Sequence, residues 1–442
     1  MILKSIGGKP LFVHLSIILI FFILTAILTF PVIANFGSEF AGNGPDIWNN
    51  VWKWWWTKYA FENNLDWLKT DYIFYPHGVN IGKESLFTML FSYVFKFLDY
   101  VQIWNMLWFV GFVFGGYGSF LLAHHFNKNF IASLAAGAIF TFSTYHTTQA
   151  ISHVDLAFIV WIPLSILFLF KMTETKSKIN PVLVGVFLFL AVLTQLTYAF
   201  VMVAFVILFS IVYFIRKKGI SNKTLLIHFL IAGSVFFIIS IPLLLTISSA
   251  LDEEPYKRPI SEINTYSASI ENIFLIPSSL QSIQHVTGYA FADSIYAIFG
   301  TSYMQVQMEQ VIFLGITPLV LAGIAIVWFR NKHFVFWIII LLVFTILTLG
   351  PELRFLNDLT GYILPGKMLY DSIPGWDFNR VPARFVVMAT LSLSVLSAYA
   401  IDGIMKQRIK SSKKAITLGV IIMFFILLEF AAIPYPTTAQ EI

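Results

Sequence analysis

Apolar stretches longer than about 17 residues recur along this chain, and they restrict its fold more than any other feature of the sequence. Residues 11–35 form the first of them. A helix of this length crosses a hydrocarbon core that is about 30 Å thick. Only 12 % of the residues are charged, against about 25 % in a soluble globular protein. The sequence therefore predicts an all-α integral membrane protein with many transmembrane helices.

The charged residues between the apolar stretches divide by sign. One set of polar segments carries 17 Lys and Arg residues and a single acid, Glu174. The other set carries 11 Lys and Arg residues and 21 acids. The remaining acid, Asp402, lies at a span boundary. Because basic residues are enriched in cytoplasmic loops, we assign the first set to the cytoplasm. It consists of residues 1–10, 124–129, 171–180, 216–223, 330–333 and 406–414.

This assignment predicts about eleven transmembrane helices, with the N-terminus inside and the C-terminus outside. Residues 86–98 are half apolar and predict an interfacial helix rather than a span. Residues 181–215 have basic flanks at both ends, so the turn at 194–198 predicts a hairpin of two short spans. The predicted spans lie near residues 11–35, 101–123, 130–150, 156–170, 181–194, 198–215, 224–249, 309–329, 334–350, 383–403 and 415–433.

Three segments on the outer side are long, at residues 36–100, 250–308 and 351–382, whereas each cytoplasmic loop has ten residues or fewer. Long ordered loops tend to carry function. We therefore expect a protein of the cell membrane whose active face is extracytoplasmic. The domain prediction is one polytopic membrane domain over residues 1–434. A short outer tail over residues 435–442 follows, as a candidate remnant of a soluble domain.

The first outer segment places Asp46 directly ahead of a tryptophan cluster. An aromatic belt at the membrane interface is one explanation of the cluster, and an N-cap role is one explanation of Asp46 because it opens a helix-like run. A catalytic role is the other explanation of Asp46. The cluster consists of Trp48, Trp52, Trp54, Trp55 and Trp56.

Further ionisable residues are predicted at the same membrane face. His77 lies in "FYPHG", His153 and Asp155 lie in "SHVDL", and Arg380 and Arg384 lie in "PGWDFNRVPARF". The histidines can be structural and hydrogen-bonded, and the arginines can anchor a span to lipid headgroups. Charged groups near a membrane are costly, however, and usually mark function. Taken together, these residues indicate a functional site at the outer ends of the spans.

A carboxylate beside cations suits group transfer, because the carboxylate accepts a proton from an acceptor hydroxyl while arginine neutralises a departing phosphate. An aspartate with an ordinary pKa of about 3.9 is ionised at neutral pH and is a weak base. That weakness must be offset by stabilisation of the transition-state charge or by burial that raises the pKa. The tryptophan cluster is expected to provide such burial around Asp46, and also a stacking face for a sugar.

Four ordered motifs resemble a family of membrane enzymes. "GNGPDIWNNVW" (42–52), "FYPHG" (74–78), "SHVDL…WIPL" (152–164) and "PGWDFNRVPARF" (374–385) are similar to motifs of a poorly characterised prokaryotic branch of the GT-C superfamily of polytopic glycosyltransferases. Protein mannosyltransferases and aminoarabinose transferases belong to that superfamily. Two positions depart from the pattern: Asn43 replaces the first acid of the first motif, and Ser152 replaces the usual glycine of the third.

The resemblance implies transfer of a sugar from a polyprenyl-phosphate donor to a lipid, glycan or protein acceptor. Asp46 would be the catalytic base. Two groups of residues would bind the substrates. The lipid phosphate would be held by Arg380 and Arg384 with Lys257 and Arg258, and the sugar or acceptor site would be lined by His77, His153 and Asp155.

The sequence alone leaves other classes of function open. A transporter or lipid flippase is expected to carry ionisable groups in the middle of its spans, and here those middles are almost free of charge. A catalytically inactive scaffold is also compatible with Asn43. The sequence assigns no cofactor and leaves open whether Mg²⁺ or Mn²⁺ takes part. The basic residues are explained by topology, so no nucleic-acid partner is predicted, and membrane lipids are the expected surroundings.

Overall fold

The computed structural model describes most of the chain. The described residues are 10–81, 85–216, 221–253, 258–275, 297–298, 308–329, 333–373, 375–408 and 411–439. The predicted site residue Lys257 lies outside them. Helices dominate the described part, and the strands there are short.

The helices are numbered in chain order. They are α1 (Pro10–Leu28), α2 (Pro45–Glu62), α3 (Leu86–Val94), α4 (Tyr100–Asn127), α5 (Phe130–Thr141), α6 (Thr144–Gln149), α7 (Trp161–Glu174), α8 (Ile179–Thr194), α9 (Thr197–Arg216), α10 (Asn222–Glu253), α11 (Ile260–Thr265), α12 (Ile316–Trp328), α13 (Phe334–Thr348), α14 (Pro365–Ser372), α15 (Val386–Gly403) and α16 (Ser412–Glu429). The strands are β1 (Glu39–Ala41), β2 (Lys69–Thr70), β3 (Val79–Asn80), β4 (Glu352–Phe355), β5 (Asp358–Ile363) and β6 (Thr437–Ala439). They form three antiparallel pairs, β1 with β6, β2 with β3 and β4 with β5.

Apolar helices confirm a multi-pass membrane protein. Within the described residues, four helices are long and apolar enough to cross a bilayer by length and composition: Leu11–Leu28, Tyr100–Asn127, Asn222–Thr246 and Pro382–Gln407. Shorter apolar helices accompany them, and a helix lies within each of the eleven predicted spans. The number of crossings stays a prediction. The turn predicted at 194–198 is the point where α8 ends and α9 begins.

Helix α15 lies at the centre of the bundle and packs against α5, α12 and α13. Every residue of it except Asp402 is buried. Its serines, including Ser392 and Ser394, donate to carbonyls one turn earlier in the same helix. Their polar groups are therefore satisfied internally, as an apolar interior requires. In contrast, α1 and α10 expose large apolar side chains along most of their length, as expected of helices that face lipid.

The segment before α2 is held in place by α4. Asn105 accepts a hydrogen bond from Ala41 N (2.8 Å) and donates to Phe36 O (2.8 Å) and Glu39 O (2.7 Å), and Trp104 Nε1 donates to Ala41 O (2.8 Å). Strand β1 also pairs with β6 from the far end of the chain. These contacts fix the direction in which the chain enters α2, and therefore the position of Asp46.

Glu429, the last residue of α16, caps a neighbouring helix. Its carboxylate accepts hydrogen bonds from Ile316 N and from Thr317 N (2.9 Å), the first amides of α12. These amides have no partner within their own helix, and the positive end of the helix dipole favours a negative charge there.

We expect Glu429→Ala to lower the free energy of unfolding by about 1–3 kcal/mol, because two N–H groups at the start of a helix lose a charged acceptor. Thermal unfolding of the detergent-solubilised protein measures the change. Glu62→Ala is the matched control, since Glu62 forms an exposed pair with Lys96 at 3.5 Å and exposed pairs contribute little. Equal midpoints for the two variants would contradict the capping role.

Candidate active site

A polar cavity of about 400 Å³ lies where several distant segments of the chain meet. We call it the central cavity. Four basic side chains (Lys53, Arg258, Arg380, Arg384) and three carboxylates (Asp46, Asp155, Glu309) line it together with His153. Helix α2 and the loop between α6 and α7 provide some of them. The others come from the segment just before α11, the segment between α11 and α12, and the segment that leads into α15.

Two glycines allow the first of these segments to approach the loop between α6 and α7. Gly42 and Gly44 have φ values of +98° and +115°, and a Cβ atom on either would collide with Ile151 O or Ser152 Oγ. In this close packing Asn43 N donates to Ile151 O (2.8 Å) and Ser152 Oγ donates to Asn43 O (2.8 Å). Asn43 and Ser152, the two departures from the family pattern, are therefore in contact, and their contact places Asp46 beside His153.

Asp46 and His153 form a pair at the wall of the central cavity. Helix α2 begins at Pro45 with Gly44 at its N-cap, so Asp46 lies in the first turn and is not the cap. His153 Nε2 donates to Asp46 Oδ2 at 2.9 Å. This hydrogen bond lowers the pKa of Asp46 and outweighs partial burial, which acts in the opposite direction. Burial alone would lower the pKa of His153, but the hydrogen bond to Asp46 and the charge of Glu309 raise it above its ordinary value.

Glu309 joins this pair to Arg384. The Arg384 guanidinium binds Glu309 through two hydrogen bonds, Nη2 to Oε1 at 2.7 Å and Nε to Oε2 at 3.2 Å. Glu309 Oε1 is also 3.6 Å from His153 Nε2, and Gln149 Nε2 donates to Glu309 Oε2 at 3.4 Å. Both members of the ion pair are largely buried. The result is a continuous chain of charges from Asp46 through His153 and Glu309 to Arg384.

Two other arginines of the central cavity, Arg258 and Arg380, share one carboxylate partner, Glu262. Arg258 Nη1 and Arg380 Nε lie 3.0 Å and 2.9 Å from the same oxygen, Glu262 Oε1. The Arg380 guanidinium also lies over the ring of Tyr266, 4.3 Å from its centroid. The Arg380 side chain is 45 % exposed, whereas that of Arg384 is only 13 % exposed. Arg380 is therefore the more accessible of the two predicted arginines to an anion in the cavity.

The α8–α9 turn contributes polar residues to the cavity that no motif in the sequence predicts. Gln195 Nε2 donates to Asp155 Oδ2 at 2.8 Å, and Ser85 Oγ donates to the same oxygen at 3.2 Å. Thr197 Oγ1 accepts from Arg384 Nη1 at 3.5 Å. The pattern at 194–198 predicts a turn, and nothing in it indicates that the turn reaches a polar cavity.

The remaining predicted residues lie elsewhere. His77 lines a separate pocket together with Trp56. Among the described residues that line the central cavity none is a tryptophan, and the aromatic residues there are Phe200, Tyr266 and Phe378. Trp54 and Trp56 are buried within the first outer segment, and Trp54 Nε1 donates to Thr88 Oγ1. The expected burial of Asp46 by tryptophan was wrong: its side chain is 41 % exposed.

Two of the three carboxylates that line the central cavity face cations, whereas Asp155 accepts hydrogen bonds from Ser85 and Gln195. Asp46 is paired with His153, and the two oxygens of Glu309 are occupied by Arg384. Within the described residues, no group of three or more His, Cys, Asp or Glu side chains is arranged to hold a metal ion. The side chains in this arrangement therefore do not form a Mg²⁺ or Mn²⁺ site.

The Asp46–His153 pair predicts a pH dependence. The raised pKa of His153 contributes stability that is complete below its ordinary value of 6.5 and is lost as the pH rises through the raised value. The lowered pKa of Asp46 contributes stability that is present above 3.8 and is lost as the pH falls through the lowered value. We therefore expect the stability difference between wild type and Asp46→Asn to be largest between pH 3.8 and 6.5.

Histidine NMR titration gives the residue-level test of this pair. The pKa of His153 is expected to fall in Asp46→Asn, because the charged partner of the imidazolium is lost. Asp358→Asn, in the exposed strand β5, is the matched control and should leave it unchanged. An unchanged His153 pKa in both variants would show that the two side chains are not paired in solution.

No protein-family model matches the sequence, and no curated protein does either. Solved structures, however, have a similar fold. The archaeal oligosaccharyltransferase AglB from Archaeoglobus fulgidus, in complex with an inhibitory peptide and a dolichol-phosphate, aligns over 98 % of this chain and 57 % of its own (TM-score 0.50, 12 % identity). The apo form of the Archaeoglobus fulgidus oligosaccharyltransferase aligns over 97 % and 57 % (TM-score 0.51, 13 % identity).

ArnT from Cupriavidus metallidurans bound to undecaprenyl phosphate aligns over 93 % of this chain and 62 % of its own, with a TM-score of 0.46 and 11 % identity. The chain thus spans about three fifths of the length of these proteins. At such low identity the similarity to the oligosaccharyltransferase concerns the fold alone. It confirms that this chain has a GT-C-type fold, as its motifs indicate.

Proposed function

We propose that this protein transfers a sugar from a polyprenyl-phosphate-linked donor to an acceptor at the extracytoplasmic face of the membrane. The observation that carries the proposal is the central cavity, where Asp46, His153, Glu309 and the arginines 380 and 384 converge from distant segments. The GT-C-type fold supports it, because the archaeal oligosaccharyltransferase with this fold holds a dolichol-phosphate and a peptide. The charge distribution between the spans supports the outer face.

In the proposed reaction an acceptor hydroxyl attacks the anomeric carbon of the donor sugar. The new bond joins that carbon to the acceptor oxygen, while the bond between the carbon and the phosphate oxygen breaks. The hydroxyl proton passes to Asp46, and the bonding electron pair leaves with the phosphate. Inversion is the usual outcome in enzymes that the sequence resembles.

The phosphate would be bound mainly by Arg380 and Arg258. Their shared partner Glu262 leaves the trio with a net positive charge, and guanidinium groups bind phosphate through directed, charge-assisted hydrogen bonds. Arg384, in contrast, is committed to Glu309. Its role in this scheme is to keep Glu309 ionised beside His153 and so to orient the imidazole that holds Asp46.

The lowered pKa of Asp46 bears on how the reaction is driven. An aspartate that is held ionised by His153 is always ready to accept a hydrogen bond, but it is a weak base. Burial does not compensate for this weakness, so stabilisation of the developing phosphate charge must do so. The arginines that line the same cavity are suited to supply that stabilisation.

Loss of the protein tests the proposal and separates it from the alternatives. In a strain that lacks the gene, we expect the sugar-loaded polyprenyl phosphate to accumulate and an outer-surface glycan to be lost. Wild type should restore the glycan, Asp46→Asn should not, and Asp358→Asn should restore it as a matched control. Restoration by Asp46→Asn would favour a transporter or lipid flippase, and unchanged surface glycans in the deletion strain would favour an inactive scaffold.

A further inference from the structure

A second pocket lies at the far end of α2 and is separate from the central cavity. It has a volume of about 640 Å³ and is formed between α2 and the hairpin of β2 and β3. We call it the hairpin pocket. The side chains that give it its chemical character are those of Trp56, Asp66, Lys69, Asp71, Tyr72 and His77. The proposed transfer reaction uses none of them.

One wall of the hairpin pocket is aromatic and fixed in position. The Tyr72 ring lies 5.2 Å from Trp56 and 6.4 Å from Trp55, measured between ring centroids. Its hydroxyl is 3.1 Å from that of Tyr59 on α2. The Tyr72 side chain is nevertheless 56 % exposed. A large aromatic surface is therefore held rigidly by its neighbours while part of it stays open to a ligand.

Most of the other lining residues are polar, and their charges disfavour an anionic ligand. Asp66 and Asp71 contribute two carboxylates, against the single ammonium of Lys69. Asp66 Oδ1 accepts from Leu68 N at 2.9 Å, and an ionised carboxylate has further lone pairs for other donors. Hydroxyl groups are donors that suit these oxygens, whereas a phosphate or a carboxylate would be repelled.

We propose that the hairpin pocket binds a neutral glycan. A pyranose ring has an apolar C–H face, which packs on an aromatic ring, and a rim of hydroxyls, which donate to carboxylates and accept from ammonium or imidazole groups. Tyr72 provides the aromatic surface, Asp66 and Asp71 accept from the sugar hydroxyls, and Lys69 and His77 interact with the sugar oxygens. A pocket of this size is large enough for more than one sugar residue.

The position of the pocket also indicates the class of acceptor, on the assumption that the proposed transfer reaction is correct. Asp46 and Trp56 are ten residues apart on the same helix, which corresponds to about 15 Å at 1.5 Å per residue. A single sugar cannot reach both. An acceptor that occupies the hairpin pocket and presents a hydroxyl to Asp46 is therefore an oligosaccharide.

Binding of neutral trisaccharides of glucose, galactose, mannose and N-acetylglucosamine to the detergent-purified full chain tests the pocket. Saturable binding of at least one of them is expected by saturation-transfer NMR. Tyr72→Ala should weaken it about tenfold, which is the effect of losing one stacked aromatic contact. Asp71→Asn preserves the shape of the pocket and should also weaken binding. Tyr75→Ala is the matched control, because Tyr75 is 81 % exposed in the same segment and does not line the pocket.

Failure of this inference is distinguishable from failure of the proposed function. Asp46→Asn should lose transfer but keep most of the affinity for the trisaccharide, since the hairpin pocket, which Asp46 does not line, makes most of the contacts. Loss of binding in Asp46→Asn but not in Tyr72→Ala would place the glycan in the central cavity and overturn the inference. Absence of saturable binding for all four trisaccharides would overturn it as well. Binding with the expected variant profile, in a protein without transferase activity, would uphold the pocket and reject the transfer reaction.

Discussion

Asp46→Asn is expected to lower the rate of sugar transfer by about a thousandfold while affinity for the lipid donor changes little. Removal of a general base typically costs between about 10² and 10⁴ in rate. The amide has nearly the same shape as the carboxylate and can still accept a hydrogen bond from His153, so the cavity should keep its structure. In the proposed reaction the donor phosphate is bound by Arg380 and Arg258, not by Asp46, and all three residues line the central cavity.

Purified protein in detergent or vesicles, with a sugar-loaded polyprenyl phosphate, provides both measurements. Turnover is measured by formation of the glycosylated product, and affinity is measured by donor binding without acceptor. Asp358→Asn, an identical change on an exposed strand, should behave as wild type. Transfer at the wild-type rate by Asp46→Asn would remove Asp46 from the reaction.

Arg384→Met is expected to lower the free energy of unfolding by about 3–5 kcal/mol, because it leaves the buried carboxylate of Glu309 without its cation. The substitution keeps the length and apolar character of the side-chain stem, so lost packing contributes little. Thermal or denaturant unfolding of the purified protein measures the loss.

Arg380→Met is the matched control for this experiment. Arg380 is far more exposed and pairs with Glu262 at the cavity wall, so its loss should change stability by less than about 1 kcal/mol. It should instead weaken donor binding about tenfold or more, because a charge-assisted contact to phosphate is lost. We thus expect different effects from the two substitutions: Arg384→Met lowers stability, whereas Arg380→Met lowers donor affinity.

A double variant identifies the cause of the Arg384 effect. Arg384→Met combined with Glu309→Gln should recover part of the lost stability, because the unpaired buried charge is removed together with its partner. A double variant that is as unstable as Arg384→Met, or a single variant as stable as wild type, would show that the ion pair does not stabilise this part of the fold.

Much of the fold could be predicted from the sequence, because membrane spans depend on long apolar runs and their orientation depends on basic residues. The helices of the predicted spans and the α8–α9 turn are examples. Side-chain contacts are harder to predict. Glu309 and Arg384 are 75 residues apart along the chain, and their pairing depends on how α12, α15 and the segments before them pack.

The first outer segment shows why the candidate site was only partly predictable. Asp46 and His77 lie in one polar segment, and the sequence gives no distance between them. The two-residue strands β2 and β3 pair as a hairpin around His77, and strands this short carry almost no periodic signal. The motifs therefore predict His77 and His153 in one site, whereas the structure places the two histidines in different pockets.

A structure of the protein with a bound polyprenyl-phosphate sugar tests the central claim most directly, which is that one outer-face cavity holds both the donor phosphate and the catalytic carboxylate. The expected result is a donor phosphate within about 3 Å of a guanidinium nitrogen of Arg380 or Arg258, with the anomeric carbon directed towards Asp46. A donor whose phosphate lies at the cytoplasmic ends of the helices, or outside the central cavity, would contradict the claim.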